Sequence, residues 1–298
     1  MTADVLSQFS AALAARAAQA SPLLAALKRS DDRHLSAMLW GPDLLVASEQ
    51  SLPRHDEFDV VLAGGKSGTA KLVGRDAGTN IALLKLEQAV PFAPPTPANA
   101  MVGAIAVAFG ADGAGGASAR LGIVNQAGPE WLSSRGGRID RRIVLDLHIA
   151  RAEEGGPVLD ADGALLGIST LGPRRQVLVI PAATISRVVP LLLSDGRVAR
   201  GWLGVALQPV AVPDALQTAA GQAHGYMVMS AVADGPAAKA GVVPGDIVVA
   251  IDGEPIRRYR KFAARFGPES VGRTTELSVI RGGAIVSVKA TIAARPAA

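Results

Sequence analysis

Between residues 44 and 84 the apolar residues come in short runs cut apart by turn residues, and this punctuation directs the chain toward strands. Leu44-Leu45-Val46-Ala47, Asp59-Val60-Val61-Leu62, Ala70-Lys71-Leu72-Val73 and Ile81-Ala82-Leu83-Leu84 are each too short for a buried helix and suit β-strands. Ala63-Gly64-Gly65-Lys66-Ser67-Gly68 separates two of them and reads as a hairpin turn. A connector rich in proline, 91–97, follows. A second set of strands then runs from Gly103-Ala104-Ile105-Ala106-Val107-Ala108-Phe109 to Val177-Leu178-Val179-Ile180. Two β-barrels joined by a connector is the parse this order supports. Thr184 to Leu193 reads as a closing helix, stopped at Ser194-Asp195-Gly196.

From Arg200 the texture changes. Asp234-Gly235-Pro236-Ala237-Ala238-Lys239-Ala240-Gly241 suggests a short helix capped by Asp234 and ended by Gly241. The strand Ile247–Ile251 leads into Asp252-Gly253, a strong hairpin signal. This is a separate domain of about a hundred residues. At the other end, Val5, Leu6, Phe9 and Leu13 recur at helical spacing, so residues 3–20 read as an amphipathic helix. It either packs on its own domain or serves oligomerisation.

Composition narrows the chemistry. The 298 residues are 49% hydrophobic but only 4% aromatic, so aliphatic side chains must fill the cores. With no cysteine there is no disulfide, thiolate nucleophile or Cys-ligated metal. The net charge of +4 comes without a Lys/Arg run interleaved with aromatics, which argues against nucleic acid as a partner. No apolar stretch is long enough for a membrane-spanning helix. The first residues carry Asp4 where a signal peptide needs a positive charge, so the expectation from the residues alone is a cytoplasmic protein. Gly65-Lys66-Ser67 resembles the end of a phosphate-binding loop, but Val60 stands where that loop needs glycine. Asp146, His148, Glu153 and Glu154 have a spacing that matches no known metal site, and no cofactor is implied.

The order of landmarks resembles the HtrA family. Leu45-Val46-Ala47-Ser48-Glu49-Gln50-Ser51-Leu52 stands where the family's strand leads into its catalytic histidine. Thr79-Asn80-Ile81-Ala82-Leu83-Leu84-Lys85 stands where it has Thr-Asp-Leu-Ala-Leu-Leu-Lys. Asp146 through Pro157 matches without a gap the stretch that ends Ser-Gly-Gly-Pro, and Arg151-Ala152-Glu153-Glu154-Gly155-Gly156-Pro157 closes it. Gly163–Ile168, Val179-Ile180-Pro181 and Arg200-Gly201-Trp202-Leu203-Gly204-Val205 continue the series. The resemblance covers nearly all of 36–295. It implies a mainly β protein with a trypsin-like double β-barrel over 21–196 and a PDZ domain over 200–295, while the amphipathic helix of the N-terminal segment 1–20 departs from the family's pattern. Exported relatives make the periplasm the alternative location.

The same alignment puts Gln50 at the family's histidine, Asn80 at its aspartate and Glu154 at its serine. Neither Gln50 nor Glu154 can play the part of histidine or serine in the usual triad. The expectation is therefore a pseudo-protease, not an enzyme, in which Glu154 or Glu153 turns its carboxylate into the oxyanion hole with the Gln50 amide donating to it and Asn80 bonding Gln50. The bland alternative has both glutamates pointing to water. The alternative function is an active serine endopeptidase with a relocated site, for which Ser48 or Ser51 with His55 is the nearest set. His148 reads more plainly as an imidazole bonded to backbone at a strand end.

The PDZ resemblance implies binding of protein C-termini or unfolded peptides. Trp202, Leu203, Gly204 and Val205 would form the carboxylate loop, and Phe262 and Phe266 would face it from a helix within 258–266. Arg257, Arg258, Arg260, Lys261 and Arg265 around that helix either favour acidic peptides or simply form a solvated face. A scaffold, regulatory or chaperone-like role in protein quality control follows, with an active paralogue or a homo-oligomer as further partners.

Overall fold

A computed structural model of the chain describes residues 4–29, 33–258, 262–263 and 265–296. They fall into two compact units, Met1–Val198 and Ala199–Ala298.

The first unit holds two closed six-stranded barrels. The first comprises β1 (Leu24–Lys28), β2 (His34–Gly41), β3 (Leu44–Ser48), β4 (Glu57–Leu62), β5 (Ser67–Asp76) and β6 (Ile81–Leu86). Its order around the barrel is β1-β2-β3-β6-β5-β4, closed by pairing of β1 with β4. The second barrel contains β7 (Ile105–Ala111) and β8 (Ala117–Gly128), then, after the small hairpin β9 (Trp131–Leu132) and β10 (Arg138–Ile139), β11 (Arg142–Asp146), β12 (Pro157–Asp160), β13 (Leu165–Leu171) and β14 (Val177–Pro181). It closes where β8 meets β11.

Strand alternation, interrupted in β13 by a bulge at Leu166, assigns each residue to a core. In β3, Leu45 and Ala47 enter the interior of the first barrel, while Val46 points to the other side. In β13, Leu166 enters the second barrel and Ile168 points away from it. Val46 and Ile168 thus share a third cluster that joins the barrels, together with Leu83, Phe109, Leu159 and Ile180. Each such large apolar side chain contributes about 1.5–3 kcal/mol by leaving water. Ser48 and Thr170 lie two residues beyond Val46 and Ile168 on the same faces, so the apolar seam between the barrels ends in hydroxyls.

Two helices flank this unit. α1 (Val5–Ala20) sets Leu13 and Ala17 against the inter-barrel core, and Arg16 Nε donates to the Ala161 carbonyl at 2.9 Å. Its first turns keep Val5, Leu6 and Phe9 exposed, so only its second half packs on its own unit. α2 (Ala182–Asp195) buries Ile185, Val188, Val189 and Leu192 along one face and ends at Gly196, whose N–H reaches the Leu192 carbonyl at 3.0 Å.

The second unit is built on the sheet β16-β17-β18-β20-β21. Its chain order is β15 (Gly201–Trp202), β16 (Val205–Ala211), α3 (Asp214–Ala220), β17 (His224–Ala231), α4 (Pro236–Lys239), β18 (Ile247–Ile251), β19 (Glu254–Pro255), β20 (Thr274–Arg281), β21 (Ala284–Thr291) and β22 (Ala293–Ala294). Asp252 and Gly253, both at positive φ, make the tight turn between β18 and β19. Asp234 does not cap α4. Gly235 is the N-cap, and Asp234 is itself a left-handed turn residue at φ 58°. The architecture is a trypsin-like double β-barrel with an N-terminal helix, followed by a PDZ domain.

Candidate functional site

A cleft of about 530 Å³ opens on the first unit. Gln50 and Ser51 reach it from the first barrel, and Arg151, Glu154 and Arg175 from the second. Gln50 sits just after β3, and Asn80 just before β6. The turn that carries Asn80 is shaped by Asp76, whose carboxylate accepts the N–H groups of Gly78 and Thr79 at 3.1 and 3.0 Å. Asn80 is left-handed, φ 59°, a conformation that asparagine tolerates better than most residues.

Glu154 lies on the loop between β11 and β12. Gly155 next to it adopts φ 95°, and a side chain there would strike the Ser36 carbonyl. Ser36 fixes the loop from below: its hydroxyl donates to the Ala152 carbonyl at 2.6 Å and accepts the Ala111 N–H at 2.9 Å.

Gln50, Asn80 and Glu154 form one network. Gln50 Nε2 donates to Glu154 Oε1 at 2.6 Å, and the Gln50 N–H donates to Asn80 Oδ1 at 2.7 Å. Ser48 Oγ and Thr170 Oγ1 also donate to Glu154 Oε1, at 2.9 and 2.7 Å, and the Leu171 N–H does so at 3.1 Å. Asn80 Nδ2 reaches Ser48 Oγ at 3.0 Å and Thr170 Oγ1 at 2.7 Å. Glu154 is 3% exposed, so this carboxylate is held by neutral donors in place of water.

Glu153 faces the other way. Burial by itself would raise its carboxyl. The Ala150 N–H at 2.7 Å, the Ser118 hydroxyl at 2.7 Å and the Arg120 guanidinium at 3.0 Å together hold it below the usual carboxylate range. Neither glutamate points to water; Glu153 takes the Ala150 N–H of its own loop, but neither carboxylate takes the N–H groups of Glu154, Gly155 or Gly156. Those groups are already bonded: Glu154 N–H to the Arg151 carbonyl at 3.3 Å, Gly155 N–H to that of Ser169 at 2.9 Å and Gly156 N–H to that of Glu153 at 3.2 Å. The plugged oxyanion hole expected from the sequence is therefore replaced by a short 3-10 turn over Arg151–Glu153 that takes the Glu154 and Gly156 N–H groups, while β13 takes that of Gly155.

The Ser–His pair that the sequence offered does not form. Ser48 turns to Glu154 and Ser51 Oγ to the Ser48 carbonyl, while exposed His55 stacks edge-on against Phe58. His148 is exposed just after β11. Among the described residues no group of three or more acidic or histidine side chains is placed to hold a metal. Sequence reasoning passed over Thr170 and Arg120. The only signal for Thr170 was a pair of hydroxyls, Ser169-Thr170, closing an apolar strand.

In the second unit Gly204 adopts φ 77° between Leu203 and Val205. The Leu203 and Gly204 carbonyls accept the N–H groups of Ala237 and Val232 at 2.9 and 2.7 Å. Among the described residues the N–H groups of Leu203 and Gly204 meet no acceptor. β16 follows directly and pairs with β17 on one side only. Leu203 and Phe262 are buried in one core, and Phe266 packs on Phe262 at 5.0 Å between ring centres. Trp202 and Val205 are half-buried. Arg260 and Lys261 fall outside the described residues. Arg257 and Arg258 are exposed, whereas Arg265 is engaged by Asp252 and Glu254.

Residues 35–168 match the profile of the trypsin-like peptidase domain, and residues 201–292 match a PDZ domain. The chain is 32% identical over 261 residues to a "Probable periplasmic serine endoprotease DegP-like" of Rhizobium meliloti, covering 85% of this chain and 51% of that one. A protein of the same description in Brucella suis biovar 1 is 33% identical over 262 residues, covering 85% and 50%. The chain thus spans about half the length of the curated relatives it matches. Among solved structures, "HtrA-type protease AlgW with tripeptide" superposes with a TM-score of 0.73 at 26% identity, covering 96% of this chain and 98% of that one. The serine endoprotease from Yersinia pestis superposes at 0.74 and 23% identity, covering 94% and 97%, a likeness of fold.

These findings correct two expectations. Relatives named as serine endoproteases overturn the reading of the chain as a non-catalytic pseudo-protease, and favour its alternative, an active peptidase. Their periplasmic naming likewise leaves the cytoplasmic expectation without support. The PDZ domain suggests peptide binding, and no helix among the described residues is long and apolar enough to cross a membrane. Two barrels, the loop that closes on Gly155-Gly156-Pro157 and the appended peptide-binding sheet agree with both profiles, and the chain belongs to the HtrA family.

Proposed function

We propose that this protein is an HtrA-type endopeptidase acting on polypeptides in the periplasm, with its reacting groups relocated within the cleft. The observation that carries this reading is the hydrogen bond from the Ser48 hydroxyl to the Glu154 carboxylate, 2.9 Å long, inside a fold whose matched relatives are named serine endoproteases. A hydroxyl bonded to a carboxylate is a nucleophile beside a base. Ser48 Oγ attacks the scissile carbonyl carbon as its proton passes to Glu154 Oε1. The carboxylic acid then gives that proton to the leaving amine as the C–N bond breaks. Water finally releases the acyl group from Ser48, losing its proton through the same carboxylate. Asn80 Nδ2 orients Ser48, and Gln50 Nε2, once it turns from Glu154, becomes the side-chain donor for the developing oxyanion.

Ser48 is 1% exposed, so the reaction requires Gln50, which lines the cleft and shares Glu154 Oε1 with Ser48, to swing aside when substrate enters. The second unit supplies binding. The free N–H groups of Leu203 and Gly204 would receive a terminal carboxylate, and the open edge of β16 would pair with the peptide behind it. Trp202, Val205, Phe262 and Phe266 are the apolar side chains around that loop.

Incubating purified protein with casein tests the reading. Cleavage that disappears in Ser48→Ala and Glu154→Gln supports it, and intact casein after prolonged incubation at saturating enzyme refutes it.

A further inference from the structure

We infer that the cleft beside Glu154 selects acidic polypeptide segments, held by Arg151 and Arg175; this rests on reading the cleft as the polypeptide site. The ionisable groups that line it are Arg29, Arg151, Arg175 and Glu154. Three cations therefore face one acid, and that acid is already engaged: four donors converge on Glu154 Oε1. Arg151 and Arg175 are exposed, and among the described residues neither guanidinium has an ion-pair partner. Elsewhere in the same unit arginines do find acids, Arg120 with Glu153 and Arg187 with Asp140. Arg151 and Arg175 thus bring unpaired positive charge to the cleft.

The backbone that presents Arg175 is strained. Arg174 and Arg175 both adopt left-handed φ, 56° and 60°, in the turn between β13 and β14. Side-chain-bearing residues there cost about 1 kcal/mol each, and such strain concentrates at ligand-binding turns. Leu35 and Leu171 supply apolar wall beside the cations. At about 530 Å³ the cleft suits a short stretch of chain better than a lone carboxylate or phosphate. Two guanidiniums at its rim favour carboxylates on either side of the bound backbone, and repel Lys- and Arg-rich segments.

The test is fluorescence anisotropy of labelled ten-residue peptides on the full chain. Their C-termini are amidated so that the loop at Gly204 cannot capture them. A Glu/Asp-rich peptide should bind at least tenfold tighter than its Gln/Asn counterpart at 50 mM salt, and the preference should shrink at 300 mM. Arg151→Gln/Arg175→Gln should erase the preference while a free C-terminal peptide still binds, and Arg151→Glu/Arg175→Glu should invert it toward basic peptides. Equal binding of acidic and neutral peptides, or unchanged preference in both double variants, overturns the inference. So does displacement of the acidic peptide by equimolar inorganic phosphate, which would mark a simple anion site. Hydrolysis is scored separately. Acid-selective binding without turnover removes only the endopeptidase reading, and turnover without acid preference removes only this one.

Discussion

The loop at 150–157 in the first unit and the loop at 202–205 in the second are both shaped by glycine at positive φ, yet they treat their N–H groups in opposite ways. In the first, the N–H groups of Glu153, Glu154, Gly155 and Gly156 all end on carbonyls of the protein, at 3.0, 3.3, 2.9 and 3.2 Å. In the second, the carbonyls are used and the N–H groups of Leu203 and Gly204 are left without acceptors among the described residues. Unpaired amides beside an open sheet edge can take a carboxylate as they stand. A closed 3-10 turn must first open before its amides can meet a developing negative charge. Binding at the second loop is thus a matter of occupancy, whereas chemistry at the first requires rearrangement of the loop or another donor such as Gln50.

The comparison breaks most sharply at the carboxylates that fix each unit. Glu154→Ala leaves Gln50, Thr170, Ser48 and the Leu171 N–H facing an empty site, and should cost about 3 kcal/mol in urea unfolding of the first unit. A loss under about 0.5 kcal/mol would mean that the network is not holding the loop. In the second unit Asp246 receives both arms of Arg281 at 2.7 Å and the Val243 N–H at 2.9 Å. Asp246→Asn should cost about 2 kcal/mol, less than a fully buried pair because Arg281 is partly exposed, and should lower only the second unit's transition.

Smaller changes sharpen the contrast between the loops. Gly204→Ala places a methyl at a φ of 77° and 3.1 Å from the Trp202 ring. It should cost about 1 kcal/mol of stability. Capture of a free C-terminal peptide should weaken about tenfold, or ~1.4 kcal/mol, with amidated peptides unaffected. Unchanged capture would remove the loop from the binding site. Glu153→Gln should likewise cost only about 1 kcal/mol at pH 7, because Arg120 is half exposed, and should leave peptide capture unchanged. Its sign with pH is fixed. The native carboxyl lies below its unfolded value, so its contribution is complete above the unfolded value near pH ~4.3 and fades as pH falls through the native one. Wild type and Glu153→Gln should converge in stability in acid, and a gap that widened there would contradict the assignment.

How much of this was readable in the chain follows from distance along it. Strands such as Leu44–Ser48 and Ile81–Leu86 announce themselves because alternation and turn residues are local signals. Asp252-Gly253 identified its turn for the same reason. The divergence of Glu153 and Glu154 was hidden, because a loop has no fixed period and Arg120 and Thr170, which separate their fates, lie on other strands. The arginine rim was equally invisible: positions 29, 151 and 175 meet only when both barrels close. The exposed tip of α1 was missed because Val5, Leu6 and Phe9 have helical spacing whether or not a surface lies beneath them. Spacing alone also put His55 beside Ser48, whereas the fold turns Ser48 toward Glu154.

The central claim is that the hydroxyl and carboxylate at the end of the inter-barrel seam cut polypeptide. Turnover of a quenched fluorogenic protein substrate by wild type and Ser48→Ala, with both variants' folding verified by circular dichroism, tests it directly. The account predicts measurable turnover by wild type and its loss with the hydroxyl. No turnover by folded wild-type protein, or equal turnover by the two, would contradict it.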